Sequence, residues 1–287
     1  MYKLPLPNYN TEDSLSLCIR SMRENRKALF EGARADMARA EQKYIECIQN
    51  QEIGQFSHSP CADHQVDNNK FKSLYRYLLL EEGGREVYEH LFSLTSHKFC
   101  PYCEYGIVGE VDHFLPRSTH PILAITPQNL IPSCERCNRK KLDFVSNDAE
   151  KIFLHPYFEE TGADEWLKAT VERVQPFVFQ YKVVNPGCWP SAFFNRICYQ
   201  FNLLDLNTIY SAQASAWLDE ELDKLYDIRN KGGEDVLKRH LLELAEDRAQ
   251  ISTKSTRFKV WQIPAFKGLA YDTWFCSCGI NEIFLLS

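Results

Sequence analysis

Cys100-Pro-Tyr-Cys103 and Cys134-Glu-Arg-Cys137 are two C-x2-C knuckles separated by 30 residues. Each knuckle can turn two sulfurs onto one ion, and together they supply the four thiolates of a closed tetrahedral zinc site. Such a site has no open coordination position, so it braces the chain and activates no water. A redox role for either pair would need a thioredoxin-like βαβ surround, and no such pattern is present. The chemistry must therefore come from the span between the knuckles. There Glu110-Val111-Asp112-His113-Phe114-Leu115-Pro116-Arg117 reads as a strand running into a turn. Neighbours on an extended chain point to opposite sides. Asp112 can thus meet a hard cation while His113 faces a water. A segment from Pro127 through Asn129 leads to Cys134, and Cys137-Asn138-Arg139-Lys140-Lys141 closes the span.

CPYC, DHFLPR, QNLIPSC and CNRKK follow one another in that order. With them the segment from about Phe99 to Leu142 resembles the HNH endonuclease family, the ββα-metal nucleases. The resemblance covers roughly a sixth of the chain. It implies that His113 is the general base that deprotonates the attacking water. It implies that Asp112 and Asn138 hold one divalent cation, and that Asn129 fixes the loop carrying the base. The four cysteines correspond to the zinc cluster that clamps the motif. The third family position is Asn138 instead of histidine, which keeps an oxygen ligand suited to Mg²⁺ or Mn²⁺. Elementary chemistry agrees with these roles. A phosphodiester repels hydroxide, and a cation at Asp112 and Asn138 would neutralise an oxygen and stabilise the departing one. Neutral imidazole is the side chain best poised to take a proton near neutral pH.

The chain carries 33 Lys and Arg against 39 Asp and Glu, a formal charge of −6. That balance excludes long-range attraction to phosphate by the chain as a whole. Nucleic-acid contact has to be local, and Arg117, Arg136, Arg139, Lys140 and Lys141 are the candidates. Arg136 to Lys141 fall at or near the start of the motif's expected helix, where backbone amides also favour phosphate. His120 reads as an ordinary loop histidine. His155, within Phe153-Leu154-His155-Pro156-Tyr157-Phe158, reads as a hydrogen-bonded core residue.

These residues need elements to position them. Residues 11 to about 50 read as one long helix capped by Thr11, with Gly32 as its weak point. Helical pattern resumes at Phe71–Leu80, and again after a break at Gly83-Gly84. Leu167–Val184 reads as a hairpin turning near Gln175-Pro176. Trp189–Phe201, Thr208–Asn230 and Glu234–Ile251 read as helices, with Gly232-Gly233 as a stop. The expected fold class is α+β and mostly helical, with a ββα-metal motif and its structural zinc embedded between helical extensions. The expected divisions are a helical region over 1–97, the zinc-bearing core over 98–160 and a mostly helical region over 161–287.

No apolar run approaches the ~18 residues of a membrane span, and MYKLPLPNYNTED has no apolar leader core. A cytoplasmic, reducing setting is expected, where clustered cysteines bind metal and most of the seven others, among them Cys276 and Cys278, are small buried hydrophobes. No Walker A motif occurs, so ATP hydrolysis by this chain is not expected. A compact HNH core between helical flanks in an acidic chain also looks similar to the HNH subunits of bacterial anti-phage systems. The Septu type pairs such a subunit with an ABC-family ATPase, which would make that ATPase the partner. The expected function is metal-dependent cleavage of DNA. The alternatives are cleavage of RNA, and a zinc-stabilised interaction subunit that does not cut.

Overall fold

The computed structural model describes residues 2–57, 66–142, 146, 148–162, 165–173, 177–254 and 260–286. It divides into two compact units, Met1–Glu160 and Thr161–Ser287. Among the described residues helices predominate in both, and each carries one two-stranded antiparallel sheet.

The first unit opens with α1 (Thr11–Cys18) and α2 (Glu24–Gln49). The expectation of one continuous helix is corrected here. Ile19 caps α1 and Arg23 is extended before α2 begins, while Gly32 stays inside α2. The chain turns because Ile19 and Met22 are both core residues. The turn folds α1 back against α2 instead of prolonging it. The cap is Asn10, not Thr11: Asn10 and Asp13 exchange side-chain and backbone bonds in a capping box. Thr11 is buried, and its hydroxyl meets Thr126 Oγ1 at 2.9 Å.

α3 (Asn68–Leu80) is capped by the Asp67 side chain, and α4 (Glu82–Ser93) follows at once. Gly83 and Gly84 do not break the helix; they lie in the first turn of α4. A Cβ on Gly84 would stand 2.4 Å from the Tyr77 carbonyl oxygen, so glycine here permits close packing of α4 on α3.

The ββα element comes next. β1 (Glu110–His113) pairs antiparallel with β2 (Leu130–Ser133), in a register setting Glu110 opposite Ser133 and His113 opposite Leu130. α5 (Glu135–Lys141) leaves β2 directly and packs on β1. α4 packs on both strands, so the helical region is built onto the hairpin.

In the second unit β3 (Leu167–Glu172) and β4 (Val178–Val183) form the expected hairpin. Its expected turn at Gln175-Pro176 lies outside the described residues. β3 strictly alternates buried and exposed positions, a sheet with one face on a core. That core is closed by α6 (Ser191–Leu203), α7 (Leu206–Gly232), α8 (Glu234–Lys254), α9 (Gln262–Tyr271) and α10 (Ile280–Leu286). Gly233 ends α7 at φ +83°, a conformation that favours glycine. Of the scattered cysteines among the described residues, only Cys18 and Cys276 are buried; Cys47 and Cys198 are half-buried, and Cys188 and Cys278 are exposed. The expectation that most are buried is thus corrected, while Cys61 lies outside the described residues. No helix among the described residues is long and apolar enough to cross a membrane.

Candidate metal centre and active site

Cys100, Cys103, Cys134 and Cys137 are all buried, with their sulfurs within 4.8 Å of one another. A zinc tetrahedron with Zn–S bonds of ~2.3 Å has sulfur–sulfur edges of about 3.8 Å. Cys103 Sγ and Cys134 Sγ are 3.8 Å apart. The donor set therefore fits zinc in chemistry and in size. The first knuckle is shaped by Glu104 N donating to Cys100 O and Cys100 N donating to Gly106 O, both at 2.8 Å. Gly106 N also points at Cys103 Sγ, at 3.3 Å. A Cβ on Gly106 would lie 2.6 Å from Cys134 Sγ, so only glycine leaves the sulfurs room to converge. Burial pushes the Cys100 thiol up, which opposes a bare thiolate there and favours one neutralised by a cation.

The second knuckle anchors α5, whose first residue follows Cys134. β1 is thereby fixed between the cysteine cluster, β2 and α5. His113, at the end of β1, is 9% exposed. Its Nε2 lies 3.0 Å from the carbonyl oxygen of Ala124. A carbonyl only accepts, so Nε2 is the donor in this contact, and in a neutral ring the basic nitrogen would be Nδ1. Tyr75 of α3 meets the same ring edge-on at 4.6 Å and donates its hydroxyl to Val111 O at 2.8 Å. The ring is thus set from two sides.

Asn129 is fully buried, behind the hairpin turn. Its Oδ1 accepts from Leu115 N at 2.8 Å, and its Nδ2 donates to Leu115 O at 3.1 Å and Leu123 O at 3.4 Å. Its own carbonyl accepts from Phe114 N at 2.8 Å. One side chain therefore ties Leu115, two residues past the end of β1, to the loop that supplies the carbonyl for His113.

Glu110 and Asp112 share a face of β1, being two residues apart. Asn138 and Lys141 share a face of α5, being three apart. The two faces meet as two rungs. Asn138 Nδ2 donates to Glu110 Oε2, and Lys141 Nζ lies 3.0 Å from Asp112 Oδ2. The same ammonium donates to His113 O at 2.7 Å. Lys141 is 3% exposed, so the expectation that it contacts nucleic acid is corrected. Its helical face turns inward, and its charge is spent inside the protein. Glu110 is a residue to which the sequence reading gave no role. The i, i+2 spacing to Asp112 was the signal that marked it.

A cavity of about 350 Å³ brings these groups together. Its lining includes Tyr75, Tyr88, Glu110, Asp112, His113, Arg117 and Asn138. Two carboxylates and an amide make an oxygen-rich set that fits a hard cation such as Mg²⁺ or Mn²⁺. Arg117 lies over the Tyr75 ring at 4.9 Å, which fixes its guanidinium at the rim. Burial pushes the Tyr75 and Tyr88 hydroxyls up, so both stay neutral. Arg136, Arg139 and Lys140 are not among the lining residues. Arg139 and Lys140 are exposed and occupy the last turn of α5, not its start, where cations suit the helix dipole; Arg139 also pairs with Glu135 at 3.3 Å.

His120 stands apart from the cavity, with Nδ1 2.9 Å from Thr119 Oγ1 and its pKa lowered by burial. His155 is 1% exposed, with Nε2 2.9 Å from Tyr44 Oη and its ring 4.3 Å from Phe114. It supports the residue next to His113 from within the core.

Residues 100–144 match the family described as HNH endonuclease, so the chain carries an HNH endonuclease domain. That match supports a nucleic-acid-cleaving enzyme. Protein ea31 of Escherichia phage lambda is 28% identical over 157 residues, covering 53% of this chain and 53% of that protein. Septu protein PtuB of Bacillus thuringiensis is 45% identical over 56 residues, covering 18% of this chain and 21% of that protein. The chain thus spans about half the length of the one relative and about a fifth of the other. No solved structure matches.

Proposed function

We propose that the chain is a metal-dependent endonuclease that hydrolyses DNA phosphodiester bonds. The observation that carries this reading is the placement of His113, whose Nε2 lies 3.0 Å from Ala124 O and whose ring lines the cavity shared by Glu110, Asp112 and Asn138. With Nε2 donating to that carbonyl, the basic nitrogen of the neutral ring is Nδ1.

In this reading His113 Nδ1 takes the proton of the attacking water, which is typically worth ~10²–10⁴ in rate. The charge that develops on the ring is shared with Ala124 O through Nε2–H. Asn129 keeps that carbonyl's loop in place. Glu110, Asp112 and Asn138 would hold a hard cation, which when bound would neutralise charge on the phosphoryl and departing oxygens. Lys141 fixes the strand end by holding both Asp112 and the His113 carbonyl. Arg117 at the rim orients a phosphate. Zinc at the four cysteines is a brace, because four thiolates leave no position for water.

The likeness to Septu protein PtuB supports a place in a Septu system. On the resemblance to Septu-type HNH subunits, we extend this to an ABC-family ATPase as partner and a cytoplasmic setting. A supplied basic surface would answer the net charge of −6.

The test is incubation of zinc-loaded protein with Mn²⁺ and either a labelled DNA duplex or an RNA of the same sequence, with and without an ABC-family ATPase of the Septu type. Cleavage of DNA over RNA is expected. Preferential cleavage of RNA would reassign the substrate, and no cleavage of either with the ATPase present would leave an interaction subunit.

A further inference from the structure

We infer that the outer face of α3 is part of the substrate-binding surface. On this inference Lys72 and Arg76, together with Arg117 stacked on Tyr75, form a wall that grips the phosphodiester backbone beside the cavity at His113. The inference rests on the nuclease reading and extends it to a helix outside residues 100–144.

At about 100° per residue, Tyr75, Leu79, Lys72 and Arg76 occupy a single arc of about 100° on α3. It adjoins the core stripe of Phe71, Leu74 and Leu78, which are all buried. Tyr75 and Leu79, on the inner half of the arc, line the cavity. Lys72 and Arg76 follow on the outer half, the first half-buried and the second exposed. The backbone ties this face to the site, since Arg117 Nη1 donates to Lys72 O at 3.5 Å.

Charge separates this face from an ordinary solvated one. Neither Lys72 nor Arg76 has an ion-pair partner among the described residues. Lys70 and Arg85 nearby are paired, with Asp67 and Glu89. α3 itself contains no acidic residue. In a chain of net charge −6, Lys72 and Arg76 without ion-pair partners, gathered beside the cavity that His113 and Arg117 line, are the complement of a polyanion. Tyr75 and Tyr88 add flat surfaces of the kind on which nucleotides rest. The occupant is therefore a nucleic-acid backbone continuing from the scissile phosphate, and the helices before the cysteine knuckles act in substrate binding.

The test uses His113→Ala, so that the probe stays intact, and fluorescence anisotropy with a labelled DNA duplex across a range of salt. Adding Lys72→Glu and Arg76→Glu should weaken binding by about tenfold or more. It should also flatten the salt dependence by about 1.8, since each lost duplex phosphate contact removes ~0.9. Lys72→Ala with Arg76→Ala, which preserves the helix, should move both quantities the same way by a smaller factor. Lys168→Glu with Lys182→Glu makes an equal charge change on exposed positions of the other unit and should leave binding unchanged. Affinity and salt slope equal to those of the parent in both α3 variants would overturn the inference, as would an equal loss in the β3–β4 control. A parent that binds neither DNA nor RNA at low salt would instead overturn the nuclease reading.

Discussion

Two consecutive carbonyls join Asn129 to His113: Asn129 Nδ2 donates to Leu123 O at 3.4 Å and His113 Nε2 to Ala124 O at 3.0 Å. The amide that organises the loop and the imidazole that ends the strand thus share one stretch of backbone. Asn129→Ala would leave the buried Leu115 N–H without its acceptor, at a cost of about 1–3 kcal/mol. Its melting temperature should fall, and cleavage should fall further than the folded fraction does, because the His113 ring loses its fixed carbonyl. Activity tracking only the folded fraction in a melt-corrected assay would show that Asn129 is structural alone.

Lys141 and Asp112 are a buried pair, 4% and 10% exposed at the side chain. Removing one partner leaves a charge without compensation, and Lys141→Met is expected to cost about 3–5 kcal/mol. Combining it with Asp112→Asn should recover much of that loss. Urea denaturation of the two single variants and the double variant measures the coupling. Additive effects would contradict it.

Gly106 gives a direct test of the sulfur cluster. Gly106→Ala would press a methyl group against Cys134 Sγ, at 2.6 Å before any shift. Zinc content by mass spectrometry should fall below one ion per chain, as it should for Cys134→Ser. Chelation or acid should destabilise the wild type in the same way, since thiolates bind zinc and protons compete for them. Full zinc occupancy in Gly106→Ala would show that the knuckles close differently.

Much of this site was legible in the chain itself. The two knuckles, the Asp112-His113 step and Asn138 after the last cysteine are local spacings, and local spacing survives folding. What the sequence left open concerns which way a face turns. Arg139, Lys140 and Lys141 look alike in sequence, yet Lys141 alone lies three residues from Asn138 on the face toward β1. The break between α1 and α2 was hidden because Ile19 and Met22 suit a helix interior and a buried turn equally well. Gly83 and Gly84 read as a stop, whereas their lack of a side chain serves the contact between helices. Tyr75 and Tyr88 lie in sequence before the knuckles and reach the site only through tertiary packing.

Glu110 is expected to matter for the hard cation and not for zinc. Glu110→Gln removes one of the two carboxylates lining the cavity. Its affinity for Mn²⁺, read from the free-ion electron paramagnetic resonance signal, should drop about tenfold or more, while zinc content stays at one per chain. Unchanged Mn²⁺ affinity would leave Asp112 and Asn138 as the protein ligands.

The central claim is that one imidazole and a separate hard cation cut the strand while zinc only braces it. Its most direct test is the single-turnover cleavage rate of zinc-loaded wild type and His113→Ala, each titrated with Mg²⁺ or Mn²⁺. The wild type should cut only when the second metal is added, and His113→Ala should be slower by ~10²–10⁴ at saturating metal while binding the same probe. Cleavage by the zinc-loaded chain alone, or a His113→Ala rate equal to that of the wild type, would contradict the account.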